Sequence, residues 1–203
     1  MTRKRHMTTP SHDPVRRTMM AALAAAPLGC AAAAPDSGGE TRQAGSSTLV
    51  AYFSRSGNTR VVAGLIHRAL GTDLFEIRPA RPYPEDYPET VAQARKETDS
   101  GYEPPLAAKV TAMADYDTVF LGFPIWGETA PPVIRSFLSG HDLSGKTLIP
   151  FVTHGGYGLG KSRDVLVSHA PKARLLEGFV MEMDQERRTM ERVTSWLGGL
   201  PRT

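Results

Sequence analysis

Cysteine is nearly absent from this chain: its 203 residues contain one, Cys30, close to the N terminus. A single cysteine excludes an intramolecular disulfide, and the rest of the chain has no thiolate for a zinc site or for nucleophilic catalysis. The six histidines show no spacing typical of metal ligands, so no metal site is predicted. Any redox chemistry in the body of the chain therefore requires a bound organic cofactor.

An excess of positive charge is missing from most of the chain. The formal net charge is +3, but the first 46 residues hold six of the 24 Lys and Arg residues and only three of the 21 Asp and Glu residues. Residues 47–203 therefore carry equal numbers of basic and acidic side chains. This balance gives no electrostatic reason to expect a nucleic-acid partner.

Residues 1–46 have the composition of an export signal followed by a polar linker. Arg16 and Arg17 precede a short run of small and apolar residues that ends at Cys30. The run is shorter than the roughly 20 residues of a membrane-spanning helix and is typical of a signal peptide, here of the twin-arginine type. Its end, "PLGC", resembles a lipoprotein cleavage box, although Pro27 stands where leucine is usual.

We therefore expect an exported protein with a flexible linker up to residue 46, in which Cys30 is the one candidate for a membrane anchor. The alternatives are a cytoplasmic protein with a disordered N-terminal extension and a start codon assigned too far upstream.

From residue 47 onward, short apolar runs alternate with stretches of helical period. This rhythm predicts one α/β domain, residues 47–203, with a doubly wound, five-stranded parallel sheet of order 2-1-3-4-5 and helices on both faces. The predicted strands are 48–54, 73–78, 117–123, 147–153 and 174–181. The predicted helices are 59–70, one or two within 88–114, 130–139, 161–169 and 185–197.

Ligands of such sheets bind at the carboxyl ends of the strands, so the loops after strands one, three and four form the candidate site. The first loop, "SRSGNT", offers hydroxyl groups and a glycine at a helix start, where free amides and the helix dipole favour a phosphate dianion. The alternative is an ordinary turn capped by Asn58 or Thr59. In the second loop, Trp126 is placed either to stack on a planar ring or to cover the edge of the core.

The third loop, "THGGYGLGKS" at residues 153–162, contains the G-x-x-x-x-G-K-S pattern of a nucleoside triphosphate P-loop. An NTPase core requires further strands after this loop, and the chain that follows Ser162 is too short to supply them. A P-loop nucleotide-binding protein is therefore the remote alternative.

Three motifs together resemble the flavodoxin family: "GFPIWG", "LSGKTLIPF" and "THGGYGLGKS". They are most similar to its short flavodoxin-like members, which read PIW after the third strand and THGG after the fourth. The resemblance covers roughly residues 47–200 and implies FMN as the cofactor. By this resemblance, the residues that contact the FMN phosphate are Ser54, Arg55, Ser56, Gly57, Asn58 and Thr59. Those that flank or close over the flavin ring are Pro124, Ile125, Trp126, Gly127, Thr153, His154, Gly155, Gly156 and Tyr157.

The chain departs from the family pattern in two ways. Gly127 and Glu128 stand where many relatives carry a second tryptophan, which would leave one wall of the pocket open. The domain is also neutral, whereas many flavodoxins are strongly acidic. Gly127 itself tolerates either orientation of its backbone carbonyl, which suits a position beside the N5 atom of a flavin.

The resemblance implies an electron carrier that serves a redox partner protein or a small-molecule acceptor. The alternatives are an FMN-dependent NAD(P)H oxidoreductase acting on quinone-like acceptors and an exported binding module without flavin. No glycine triplet has the G-x-G-x-x-G offsets of a Rossmann nicotinamide site, which favours the carrier over the enzyme. No residue is predicted to be catalytic.

Overall fold

The structure, a computed structural model, describes residues 41–43, 45–183 and 193–200. The strands are β1 (Thr48–Tyr52), β2 (Asp73–Glu76), β3 (Thr118–Pro124), β4 (Thr147–His154), β5 (Arg174–Leu175) and β6 (Phe179–Glu182). The helices are α1 (Asn58–Leu70), α2 (Tyr87–Ser100), α3 (Pro132–Gly140) and α4 (Ser162–His169), with a short 3-10 turn at Met113–Asp115. Residues 193–198 are also helical.

The sheet has the predicted order, β2-β1-β3-β4-β5, and all of these pairs are parallel. Alternate residues of β1 enter two separate cores, with Leu49 and Ala51 on one face and Val50 and Tyr52 on the other. Helices α3 and α4 pack on the first face, whereas α1 and Trp196 pack on the second. The prediction of a doubly wound α/β fold is therefore confirmed.

The edge strand was predicted to be continuous over 174–181, and this prediction is wrong: β5 and β6 are separate, and both pair with β4. Alternate carbonyls of β4 face this edge, since Leu148 accepts a bond from Leu176 and His154 from Met183. Pro150 lies between them on the same side and has no N–H to donate. The ladder is therefore interrupted next to Pro150.

At this interruption the backbone of Gly178 passes close to the backbone of Pro150. A methyl group added at Gly178 would lie 2.0 Å from the Pro150 carbonyl oxygen, so only glycine fits there.

The region 88–114 contains one α-helix rather than two. Asp86 caps α2 by accepting a hydrogen bond from the Glu89 amide at 3.0 Å, and Gly101 ends the helix in a left-handed conformation with a φ of 68°. Only the short turn at Met113–Asp115 follows before β3.

Residues 41–43, at the end of the segment predicted to be a linker, contact the outer edge of β2. Thr41 and Leu74 exchange two backbone hydrogen bonds of 2.9 Å. The adjacent Asp73 side chain is buried; it accepts a bond from the Gln43 amide and one from the Tyr116 hydroxyl at 2.6 Å. These contacts satisfy a carboxylate that would otherwise be costly to bury.

The predicted signal peptide, with Arg16, Arg17 and Cys30, lies outside the described residues, as does most of the helix predicted at 185–197. Within the described ranges, no helix has both the length and the apolar character needed to cross a bilayer.

His141 joins the end of α3 to the chain that leads into β3. Its Nδ1 donates to the Phe137 carbonyl oxygen at 2.7 Å, and its Nε2 accepts from the Val110 amide at 3.0 Å. The second bond requires an unprotonated Nε2. Burial lowers the pKa of His141, and the charge of Lys109 lowers it further.

We predict that acid weakens the fold through His141. Because the pKa is lower in the folded chain than its ordinary value of 6.5, this contribution is complete above that pH and is lost as the pH falls through the lowered pKa. Glutamine keeps a donor and an acceptor but does not titrate. Urea unfolding of His141→Gln should therefore show a smaller loss of unfolding free energy between pH 7.5 and 5 than the parent; equal losses would contradict the assignment.

Candidate functional site

Three loops meet at the carboxyl edge of the sheet, as predicted, because β1, β3 and β4 are adjacent and parallel. Hydrogen bonds join each loop to another. The Ile125 amide donates to the Thr153 carbonyl oxygen at 2.9 Å, and the Lys161 amide donates to the Glu128 carbonyl oxygen at 2.7 Å. The hydroxyl oxygens of Thr59 and Thr153 lie 2.9 Å apart.

The first loop presents the start of α1. Gly57 occupies the N-cap position with a φ of 95° and provides no side-chain cap, and the first turn contains no acidic residue. The Ser54 hydroxyl accepts a bond from the Gly57 amide at 3.1 Å, and the Asn58 side chain donates to the Ser56 hydroxyl at 3.3 Å. An uncapped helix start ringed by hydroxyls suits a phosphate dianion.

Arg55 contacts a segment distant in sequence, the residues at the start of α2. Its guanidinium donates to the Glu85 carbonyl oxygen at 2.6 Å and lies over the Tyr87 ring, 5.7 Å from the ring centre. Thr59 is buried, and its hydroxyl group forms a hydrogen bond with that of Thr153.

The second loop places an aromatic wall beside the site. Trp126 is half-buried, and two rings meet it edge to face: Phe53 at 5.3 Å and Tyr83 at 4.8 Å between ring centres. Pro124 ends β3, and Ile125 packs against the same core cluster. The sequence interpretation missed Phe53 and Tyr83. The position of Phe53 at the end of the first apolar run was a usable signal for one of them.

A tight turn follows Trp126. Trp126 and Thr129 exchange backbone hydrogen bonds of 3.0 and 3.2 Å, and both central residues have positive φ, 56° at Gly127 and 65° at Glu128. Glycine suits the first position, whereas a glutamate in the left-handed region costs about 1 kcal/mol or more. The chain directly after Trp126 therefore forms a tight backbone turn without an aromatic side chain.

The third loop leaves open space beside its glycines. The Gly156 amide donates to His154 Nδ1 at 3.0 Å, which holds the imidazole against the loop. Methyl groups added at Gly155 or Gly156 would meet no atom closer than 3.9 Å. The Tyr157 ring is 69% exposed.

Met183 is a residue that the sequence interpretation missed. The Asn58 side chain donates to its sulfur at 2.9 Å, and its terminal methyl is the nearest atom to a methyl group added at Gly155. Met183 thus lies between the first loop, residues 54–59, and the third loop, residues 153–162. These two loops are called the phosphate loop and the glycine loop below. Met183 is far from both in sequence, so no local motif indicates this position.

The residues of the P-loop pattern make contacts that do not suit a nucleoside triphosphate. The Lys161 amide is bonded to the Glu128 carbonyl oxygen, and Ser162 is fully buried, so its hydroxyl is not available to a metal ion. A methyl group added at Gly160 would lie 2.1 Å from the same Glu128 oxygen. The glycine at position 160 therefore serves the contact between the second and third loops.

The described residues fit FMN. The uncapped start of α1 with Ser54 and Ser56 suits the phosphate, Trp126 offers a planar wall, and the open glycine positions leave room for backbone to approach a ring. Among the described residues, no group of three His, Cys, Asp or Glu side chains is arranged to hold a metal ion.

Comparison with known proteins gives the family. The family model described as flavodoxin matches residues 47–200, which is most of the chain. The chain belongs to the flavodoxin family. The predicted fold and FMN as the cofactor are thereby confirmed, whereas the individual contacts of the site residues remain predictions.

Solved structures agree with this assignment. A protein of Bacteroides eggerthii, provisionally described as a flavoprotein, is 35% identical over 74% of this chain and 95% of its own, with a TM-score of 0.65. A protein of Bacteroides uniformis with the same description is 33% identical over 76% and 99%, with a TM-score of 0.67. A Lactobacillus acidophilus flavoprotein in complex with FMN shares the fold at 22% identity over 71% and 97%, with a TM-score of 0.55. No curated protein matches the chain.

We predict that Gly160→Ala weakens the flavodoxin domain much more than Gly158→Ala. Both glycines have positive φ, 50° and 61°, so both variants carry the left-handed strain of about 1 to 2 kcal/mol. Only the methyl group at position 160 also collides with backbone, since nothing lies within 4 Å of the one at position 158. Urea unfolding should show an additional loss of about 2 kcal/mol for Gly160→Ala; matching losses would remove the proposed role of the Glu128 contact.

Proposed function

We propose that this chain binds FMN at the carboxyl edge of its sheet and carries electrons between a donor and an acceptor. The observation that carries the proposal is the convergence of the uncapped α1 start, Trp126 and the glycine loop at one edge. FMN supplies the electron chemistry when bound, and the protein sets its position and surroundings.

Different residues of the chain bind different parts of FMN. The amides at the start of α1, with the hydroxyls of Ser54 and Ser56, hold the phosphate. Trp126, packed at nearly a right angle to the rings of Phe53 and Tyr83, orients the flavin ring and excludes water from one face. The link between Thr59 and Thr153 keeps the phosphate loop and the third loop at a constant separation.

An electron carrier needs an accessible cofactor edge rather than a closed substrate pocket. The third loop provides this access, because Gly155, Gly156 and Tyr157 are all exposed. The donor or acceptor is a redox partner protein or a small molecule that reaches this edge. The neutral charge of residues 47–203 argues against docking by strong long-range attraction.

We expect the purified full-length chain to be yellow, to release FMN and no FAD on acid treatment, and to contain about one FMN per chain. Chemical reduction followed by air oxidation should restore the oxidised spectrum. A colourless protein that also fails to take up added FMN would contradict the proposal. Sustained turnover with NAD(P)H and a quinone would favour the enzyme over the carrier.

We predict that Ser54→Ala and Ser56→Ala each weaken binding of FMN more than binding of riboflavin, which has no phosphate. Loss of a hydrogen bond to a charged group costs about 1.5 to 3 kcal/mol. Titration by flavin fluorescence measures both affinities. Ser139→Ala is the matched control, because its hydroxyl bonds to Glu103 on the surface. Equal losses for both flavins in the two loop variants would place the phosphate elsewhere.

A further inference from the structure

The segment 83–87, "YPEDY", is a candidate for a fourth wall of the site, in addition to the three loops. No sequence motif indicated it. It leads from the chain after β2 into α2, whose first residue is Tyr87, and has a defined shape. The Thr90 hydroxyl donates to the Pro84 carbonyl oxygen at 2.6 Å and to the Asp86 carbonyl oxygen at 2.9 Å. Together with the Asp86 cap, these bonds fasten the segment to the first turn of α2.

Tyr83 connects this segment to the aromatic wall. Its ring packs against Trp126 and, at 6.0 Å, against Phe53. Its hydroxyl donates to the buried Glu97 carboxylate at 2.9 Å, and the Gln93 side chain donates to the other Glu97 oxygen at 2.8 Å. Burial and the neighbouring Glu97 charge raise the pKa of Tyr83, which keeps the hydroxyl a donor. The ring that supports Trp126 is thus held at both ends.

Arg55 connects the same segment to the phosphate loop. Its guanidinium donates to the Glu85 carbonyl oxygen and lies over the Tyr87 ring, as described above. Both contacts belong to 83–87, so this segment already engages the guanidinium. An arginine used in this way joins two loops instead of recognising an anion.

We propose that segment 83–87 is the fourth wall of the flavin site and that Arg55 is a positioning residue that clasps it to the phosphate loop. The proposal rests on the proposed function, since it assigns residues to the same site. It replaces the expectation that Arg55 is an additional phosphate contact. The wall lies on the side of Trp126 that Tyr83 contacts, and the turn at Gly127 and Glu128 after Trp126 carries no second aromatic ring.

The two roles of Arg55 predict different binding patterns. A phosphate ligand acts on FMN and not on riboflavin, whereas a clasp acts on the ring site and affects both flavins alike. Arg60 provides a matched control. Arg55 lies in the loop just before α1 and Arg60 in its first turn, so both positive charges are near the helix start, but Arg60 pairs with Glu76 at 2.6 Å. Either substitution removes one positive charge from the neighbourhood of the α1 start.

The test compares Arg55→Gln with Arg60→Gln in the full-length chain, by titration with FMN and with riboflavin. We expect Arg55→Gln to weaken both flavins by the same factor, about twofold to tenfold beyond the change in Arg60→Gln. An effect confined to FMN, or no difference from Arg60→Gln, would overturn the proposal.

Hydrogen exchange of the flavin-free chain separates this proposal from the proposed function. Arg55→Gln should speed amide exchange in 83–87 and leave α4 unchanged, and Arg60→Gln should leave both unchanged. If the parent bound no flavin but the two variants showed this pattern of exchange, the proposed function would fail and the clasp would stand. Unchanged exchange in 83–87 of Arg55→Gln would contradict the clasp.

Discussion

The parallel register of β1, β3 and β4 is the constraint on which the rest of the structure depends. Tyr52, the last residue of β1, pairs with Gly122 and Gly122 with Phe151, so β3 and β4 extend only two and three residues further before their loops begin. Because parallel neighbours end on one edge, three loops from distant parts of the chain become neighbours. A shift of any one strand would separate the start of α1 from the glycine loop.

The loops are held together mainly by backbone groups and hydroxyls rather than by ion pairs. The carbonyl oxygens of Thr153 and Glu128 each accept an amide from another loop, and the hydroxyls of Thr59 and Thr153 meet in the core. Such bonds are short, directional and weakly sensitive to salt, so they hold the three loops in place before a ligand binds. This arrangement suits a protein whose body carries no net charge.

Polar side chains outside the site also connect segments that are distant in sequence. Asp73 and Glu97 are buried and His141 is half-buried, and each has a hydrogen-bond partner from another segment. Each ties an irregular stretch of chain to a regular element: the segment before β1, the stretch after α2, and the segment before α2. Satisfied polar contacts thereby help to position irregular backbone, together with apolar contacts such as those of Val110 and Tyr83.

The sequence by itself determined the alternation of strands and helices, the order of the sheet and the three loops at its edge. These follow from local information: apolar periodicity, glycines at turns, and short motifs that lie just after strand ends. Only the tertiary structure decided the partners of Arg55, the support of Trp126 by Tyr83, the place of Met183 and the break in the edge strand beside Pro150. Each of these depends on contact between residues distant in sequence, and local periodicity contains no record of which side chain meets which.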